Sequence, residues 1–383
     1  MKYSKEQQEA INTIDGQVCI ISVAGSGKTS VIVARANNII KSGVRPYRIL
    51  VLTFSKAAAV QMADRYKMQY GSDGIRFSTI HSLCYSVLAR AYNLKAEDIL
   101  SEAGRLKFFT EFHRQLLYKR VSGVPDDFDE YYRKCNEYIN SMAVGTADIQ
   151  DSKSSSKAYL EITFSQYKEF KKNNKKLDFD DMILYCHKCL SSNKKELEYW
   201  QGIFDYIMVD EFQDTGTLQA EIIYMVADLR KNVCVVGDDD QSIYKFRGAN
   251  IRNILDFEHE FPDAKVIKLE QNYRSTGNIL NAANSVIANN RGRKEKSLWT
   301  ENGEGELIRL RQFDTAFDEA DFIGEDIKSA VRQGGSYNDS AVLYRTNAQS
   351  RLLEEKFIAM NIPYKIVGGV NFYARRELKD LLA

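Results

Sequence analysis

The chain has no excess charge of either sign. Its 53 Lys and Arg residues face 52 Asp and Glu residues, a formal net charge of +1. Any surface that attracts a polyanion must therefore be local rather than global. No apolar run approaches the length of a membrane span. The opening residues MKYSKEQQEAI have no apolar segment after their lysines, unlike a secretory leader, and the cytoplasm is the expected compartment. Solenoid-type repeats are absent. Of the six cysteines, only Cys186 and Cys189 have CxxC spacing. They lie in a helical pattern, and no second CxxC completes a zinc site, which favours packing over metal binding. Cys19 and Cys234 fall in apolar strand patterns, where cysteine acts as a small hydrophobe. His113, His187 and His259 show no partner pattern. What remains is 383 residues, 44% of them hydrophobic, enough for about two or three globular domains.

One stretch is chemically specific. Ser22 to Thr29 reads SVAGSGKT, after the apolar run Val18–Ile21 and before a helical pattern. Strand, glycine-rich loop and helix in that order form a phosphate-binding loop. The backbone of Ala24, Gly25, Ser26 and Gly27 turns inward around a polyphosphate, with Ser30 just beyond, and the helix N-terminus favours the anion. Lys28 is placed to reach the β- and γ-phosphates of ATP, and the Thr29 hydroxyl to hold Mg²⁺. Ser22 stands where the usual pattern has its first glycine.

A second apolar run, Tyr206–Val209, delivers Asp210 and Glu211 at its end. Asp210 is placed to hold Mg²⁺, and Glu211 to orient and deprotonate an attacking water. Gln213 could sense the γ-phosphate. A third run ends in Gly237-Asp238-Asp239-Asp240-Gln241, then Tyr244, Phe246 and Arg247. Gln241 suits a γ-phosphate reporter. Tyr244 and Phe246 offer stacking faces for bases, or else core aromatics.

The expected fold class is α/β, a RecA-like lobe with a parallel sheet. Strands are expected at Val18–Ile21, Ile49–Thr53, Ile75–Phe77, Tyr206–Val209, Val233–Val236 and Val266–Leu269. Between about Tyr92 and Trp200 strand signals vanish, and helical spacing such as Leu106, Phe109, Phe112, Leu116 and Leu117 takes over. This reads as a helical insertion containing a loop at Gly145–Ser156. Further alternating runs, Leu307–Leu310, Ala341–Tyr344 and Tyr364–Val367, suggest strands of a second α/β lobe. The basic run Lys168–Lys176 is a solvated helix end or a contact to duplex phosphates.

Together these motifs resemble superfamily 1 DNA helicases of the UvrD/Rep/PcrA type, along nearly the whole chain. Tyr3–Ile11 is similar to the family's Q-motif, which implies that Gln7 reads adenine. AGSGKT and DEFQDT resemble its first and second helicase motifs. Thr53-Phe54-Ser55 and Thr79-Ile80-His81-Ser82 resemble elements that face single-stranded DNA. GDDDQSIYKFRGA resembles the motif linking ATP state to DNA. LEQNYRST implies that Tyr273 stacks on the base and that Arg274 approaches the γ-phosphate as an arginine finger. Arg35 matches an adenine-stacking arginine. Leu177–Asp181, Tyr344–Ser350 and Gly368–Tyr373 also resemble family segments.

The resemblance implies ATP and Mg²⁺ as cofactors, and single-stranded DNA and single/double-strand junctions as partners, contacted by Phe54, His81, Tyr244, Phe246 and Arg247. It implies lobe 1A in residues 1–91 and 199–270, insertion 1B in 92–198, and the opening part of lobe 2A in 271–383. Phe246 replaces the family's usual tryptophan, which implies a smaller stacking face. The family's later motifs, with a second arginine finger, are not found, so this chain by itself is expected to bind nucleotide and to hydrolyse ATP poorly. Three functional classes stay open: a 3′-to-5′ DNA motor of repair or replication, the motor part of an AddA/RecB-like helicase-nuclease, and a nucleotide-dependent DNA-binding module without turnover.

Overall fold

The computed structural model describes residues 3–71, 74–144, 156–245, 248–290 and 292–367. The chain divides into two compact units, Met1–Glu306 and Leu307–Ala383.

In the first unit the expected apolar runs form strands β1 (Gln17–Ser22), β2 (Ile49–Thr53), β3 (Arg76–Thr79), β4 (Tyr206–Val209), β5 (Val233–Gly237) and β6 (Lys265–Leu269). They make one six-stranded sheet in the order β3-β2-β4-β5-β1-β6, and every pairing is parallel. The inner strands read as continuous Val, Ile and Leu because helices cover both faces. Alternate residues divide between two cores. Val18, Ile20, Val51, Met208 and Val236 pack under α1 (Lys5–Asn12), α2 (Lys28–Lys41) and α3 (Lys56–Tyr70). Cys19, Ile21, Leu52, Val209 and Val235 face the other way, toward α4 (Ile80–Tyr92). Edge strand β6 exposes Lys265 and Lys268, which discourages further pairing.

After α4 come α5 (Glu102–Tyr118), α6 (Phe128–Val144) and α7 (Ser156–Asn173), without strands. They share a separate core of Phe109, Leu116, Tyr131, Cys135, Tyr159 and Tyr167. Of the residues that show the helical spacing, Phe109 and Leu116 are buried in that core and Leu106 is 45% exposed. Residues 145–155, most of the expected loop, lie outside the described residues. The basic end of α7 is not wholly a solvated face. Lys171 Nζ lies 2.7 Å from Asp178 and 2.6 Å from Asp181, and Lys176 donates to the Glu97 carbonyl. Asp178 also accepts from the Asp181 N–H and so caps α8 (Phe179–Ser192). The element at Leu177–Asp181 thus ties the insertion to a helix of the main core.

That core also takes in α9 (Lys194–Ile203) and α10 (Thr217–Ala227), packed with α8 against α4. Cys186 and Cys189 are buried there, and all six cysteines are unpaired, so the CxxC spacing reflects packing. The short helices α11 (Arg252–Leu255) and α12 (Phe257–Glu260) lead to β6, and α13 (Gly277–Ile287) follows it. Among the described residues no helix is long and apolar enough to cross a membrane.

At the amino-terminal edge of the sheet, Arg48 donates from Nε to Asp205 Oδ2 at 2.7 Å, and Arg230 Nε lies 3.1 Å from Asp205 Oδ1. The Arg48 hydrogen bond holds the Asp205 carboxyl below its usual range. A depressed folded pKa gives stability that is present above the unfolded pKa and lost as pH falls through the folded one. Asp205→Asn will therefore lower the melting temperature at neutral pH. The gap to wild type will shrink as pH falls below about 4, and a gap independent of pH would contradict the assignment.

The second unit contains α14 (Ala316–Arg332) and α15 (Asn347–Ala359). The strands expected at Leu307–Leu310, Ala341–Tyr344 and Tyr364–Val367 are not formed. A strand is held by the ladder to its neighbours, and these segments find no such neighbour among the described residues. Leu310 and Leu343 are 94% and 95% exposed. The family-like segment Gly368–Tyr373 lies outside the described residues.

Candidate functional site

Because all six strands run one way, Ser22, Thr53, Thr79, Val209, Gly237 and Leu269 end at one edge of the sheet. The chain leaves β1 toward β2 and leaves β5 toward β6, in opposite directions along the sheet. Between β1 and β5 lies the switch point where such sheets take ligands.

The loop after β1 sits there. Ser22 is fully buried, and its Oγ donates to the Gly237 carbonyl at 2.9 Å. The serine thus pins β1 to β5, which accounts for its place in the motif. Gly25 and Gly27 have φ of +70° and +83°, the region glycine adopts without strain. A Cβ on Gly25 would come 2.5 Å from Asn272 Nδ2, so a side chain there has no room. Gly27 caps α2 without any side-chain hydrogen bond, which leaves the first N–H groups of the helix for an anion. Ser26 Oγ is buried and has no hydrogen-bond partner among the described residues. An uncapped helix, two glycines and an orphaned hydroxyl fit a polyphosphate, with Thr29 beside Lys28 at the helix start.

Strand β4 sets the acids opposite. Lys28 Nζ lies 2.8 Å from Glu211 Oε2. Glu211 has φ of +50°, a left-handed conformation that costs a non-glycine residue about 1–3 kcal/mol. Burial, and then the charge of Glu211, push the Asp210 carboxyl up to about 6. The same two causes push Asp214 up to about 6. A buried acid beside a second acid fits a cation that would relieve the repulsion. Gln213 is buried. It donates to Glu211 Oε2 at 2.9 Å and accepts from the Asp238 N–H at 3.0 Å. It therefore positions Glu211 against β5.

The triplet after β5 carries its own counter-ions. Lys296 Nζ reaches Asp238 at 2.5 Å and Asp240 at 3.2 Å, and also pairs with Asp239. Arg293 forks onto Asp240, with its Nη2 2.7 Å away. Three acids within reach of one another are thus an ion cluster rather than a cation site. Gln241 is drawn into it, donating to Asp238 Oδ2 at 2.6 Å. Lys296 and Arg293 stand more than 50 residues away in sequence and have no motif of their own.

Beyond β6, Asn272 joins the loop to the next segment. Its Nδ2 donates to the Ala24 carbonyl at 2.7 Å, and its Oδ1 accepts from the Arg274 and Ser275 N–H groups at 2.7 Å. The Tyr273 N–H donates to the Gly25 carbonyl at 3.0 Å. Arg274 begins beside the loop, its Cβ 3.1 Å from where a Gly25 Cβ would stand. Gln7, third in its helix, forms a capping box with Ser4 and donates to the Ser26 carbonyl at 2.9 Å. Gln7 and Tyr273 line one small pocket next to the loop. Arg35 does not reach it. Its guanidinium is buried under the Ala10, Thr13 and Ile14 carbonyls at the end of α1, so it fastens the helix that carries Gln7 and cannot stack on adenine.

The opposite stretch of the same edge is aromatic. Phe54, after β2, and Tyr244, after β5, stack with ring centroids 4.9 Å apart. His81, after β3, meets Phe179 edge-on at 5.4 Å, and burial lowers its pKa toward the neutral imidazole. Phe246 and Arg247 lie outside the described residues.

Two family models match this chain. Residues 3–262 match the UvrD/REP helicase N-terminal domain, and residues 267–383 match the UvrD-like helicase C-terminal domain. Among curated proteins, the ATP-dependent DNA helicase PcrA of Staphylococcus epidermidis is 40% identical over 406 aligned positions, covering 99% of this chain and 53% of that protein. The protein of the same name from Staphylococcus aureus is 40% identical over 393, covering 99% and 52%. The chain therefore spans about half the length of these relatives. With a parallel α/β sheet whose edge carries the motifs in order, and a matching family model over most of its length, the chain belongs to the UvrD/REP helicase family.

Proposed function

We propose that this chain binds Mg²⁺–ATP and single-stranded DNA and serves as the nucleotide-binding part of an ATP-dependent DNA helicase. The observation that carries the reading is the Lys28–Glu211 pair at the mouth of an uncapped, glycine-turned loop. Lys28 and the first N–H groups of α2 hold the phosphates, and Thr29 and Asp210 hold the cation. Glu211 orients water and takes its proton. Arg274 adds positive charge as the phosphates approach, and Gln213 and Gln241 transmit the state of the site along β5. When bound, ATP with Mg²⁺ supplies the phosphoryl transfer whose free energy a motor spends. Phe54 and Tyr244 form a stacking platform for bases, with His81 beside it on the edge. Translocation 3′ to 5′, and a role in DNA repair or replication, rest on the family resemblance. So does the division into lobe 1A (1–91, 199–270), insertion 1B (92–198) and lobe 2A (271–383).

The test is ADP and ATP binding by calorimetry, with ATP turnover measured with and without a single-stranded oligonucleotide. Lys28→Ala will weaken nucleotide binding at least ten-fold and abolish turnover. Equal affinity in the two proteins would remove the loop from the reading.

A further inference from the structure

We propose that Trp299 forms the second aromatic wall of the pocket that receives the nucleotide base, facing the ring of Tyr273. This inference rests on the nucleotide reading above and adds a specificity residue to it.

The pocket beside the phosphate loop is lined by Ser4, Gln7, Ser26, Gln271, Tyr273 and Trp299, among others. Its place is fixed by backbone bonds. Asn272 N–H donates to the Trp299 carbonyl at 2.8 Å, and the next residue, Tyr273, donates to Gly25. Residues 271 and 299 also pair as an isolated parallel bridge. The chain at Trp299 is therefore strapped to Asn272, whose side chain donates to the Ala24 carbonyl of the phosphate loop and whose neighbour Tyr273 donates to Gly25. A group joined to a polyphosphate on that loop finds this pocket next to it, on the side of Gln7.

Tyr273 and Trp299 are each 46% exposed. A large indole left half in water at a pocket wall has unsatisfied apolar area. A purine sandwiched between two aromatic faces buries both, whereas one wall gives half the contact. Arg35 is buried under helix carbonyls, so it cannot supply the second face. Trp299 is the other aromatic ring lining the pocket. Ser4, Gln7 and Gln271, polar residues that line the same pocket, are suited to the edge of a base held between rings. The bonds that position Trp299 are made by its backbone, so the side chain can be changed without breaking them.

The chain has two tryptophans. Trp200 is buried in the α4–α8 core, so a nucleotide-dependent fluorescence change reports Trp299. ADP titration of the wild-type chain should quench tryptophan emission, and Trp299→Phe should lose the quench while binding ADP within about three-fold of wild type. Trp299→Ala should bind ADP about ten-fold more weakly, with affinity for inorganic tripolyphosphate unchanged. Loss of ADP and tripolyphosphate affinity together would show that Trp299 only shapes the loop, and the proposal falls. Unchanged ADP affinity in Trp299→Ala, or no quench in the wild type on ADP binding, also overturns it and leaves the nucleotide reading standing. If the wild-type chain binds neither ADP nor tripolyphosphate, both readings fall.

Discussion

Glu211→Gln will lower the ATP turnover of this chain by about 10²–10⁴ while tightening ADP binding about two- to five-fold. The two effects have one origin. Lys28 Nζ is held 2.8 Å from the Glu211 carboxylate, so phosphate and carboxylate compete for the same ammonium. The pair is only partly shielded, with side-chain exposures of 12% and 34%. An ion pair of that kind is worth up to about 1 kcal/mol, which bounds the gain in affinity when the carboxylate becomes an amide. The loss in turnover follows because an amide cannot accept the proton of an attacking water. The neutral side chain also removes the charge that helps hold Asp210 up near 6. Calorimetry with ADP and steady-state turnover with single-stranded oligonucleotide separate the two effects. A variant that keeps wild-type turnover would take Glu211 out of the proton-transfer role, and one that loses affinity and turnover in step would make it a structural support for the loop.

The parts of this site that could be read in the sequence are those whose partners are near in sequence. The loop from Ala24 to Thr29 declares itself because its glycines, its lysine and its helix are contiguous. Asp210 and Glu211 follow from an apolar strand that ends in acids. The inner strands of the first unit are legible because a strand buried on both faces has to be an unbroken apolar run, whereas the edge strands β3 and β6 carry polar residues and show only short apolar signals. What was not legible depends on distant pairings. Ser22 reads as an irregularity until its hydroxyl is seen on the Gly237 carbonyl. Arg35 reads as an adenine-stacking arginine because sequence spacing cannot show the Ala10, Thr13 and Ile14 carbonyls closing over it. Asn272 lies inside a recognised motif, yet its role in joining Ala24 to Arg274 needs the fold. The alternating runs of the second unit have the composition of strands, but alternation specifies a strand only together with a neighbour to pair with.

Lys296→Met will destabilise the first unit by about 3–5 kcal/mol, a fall in melting temperature on the order of 10 °C. The Lys296 side chain is 1% exposed, and those of Asp238, Asp239 and Asp240 are 4%, 0% and 2% exposed. Without the ammonium, three buried carboxylates keep Arg293, Gln241, Asn290 and a few N–H groups such as that of Lys294. Removing one partner of a buried ion pair costs more than the pair is worth, because the other charge stays desolvated. For that reason Asp239→Asn introduced into Lys296→Met should recover part of the loss, although each change alone destabilises. The pH dependence gives a second check. Burial raises the Asp240 carboxyl, but Arg293 and Lys296 outweigh it and hold it below its usual range. Its contribution is therefore present above the unfolded pKa and lost as pH falls, so wild type and Lys296→Met should converge in acid. The cluster also fixes Gln241 and the strand end whose Asp238 N–H holds Gln213. Any Lys296→Met protein that folds at low temperature should bind ADP close to normally but turn over ATP more slowly than the wild type. Differential scanning calorimetry across pH, with turnover measured below the melting range, tests both halves. A variant that melts with the wild type would mean that water reaches the cluster and that the three carboxylates do not depend on Lys296.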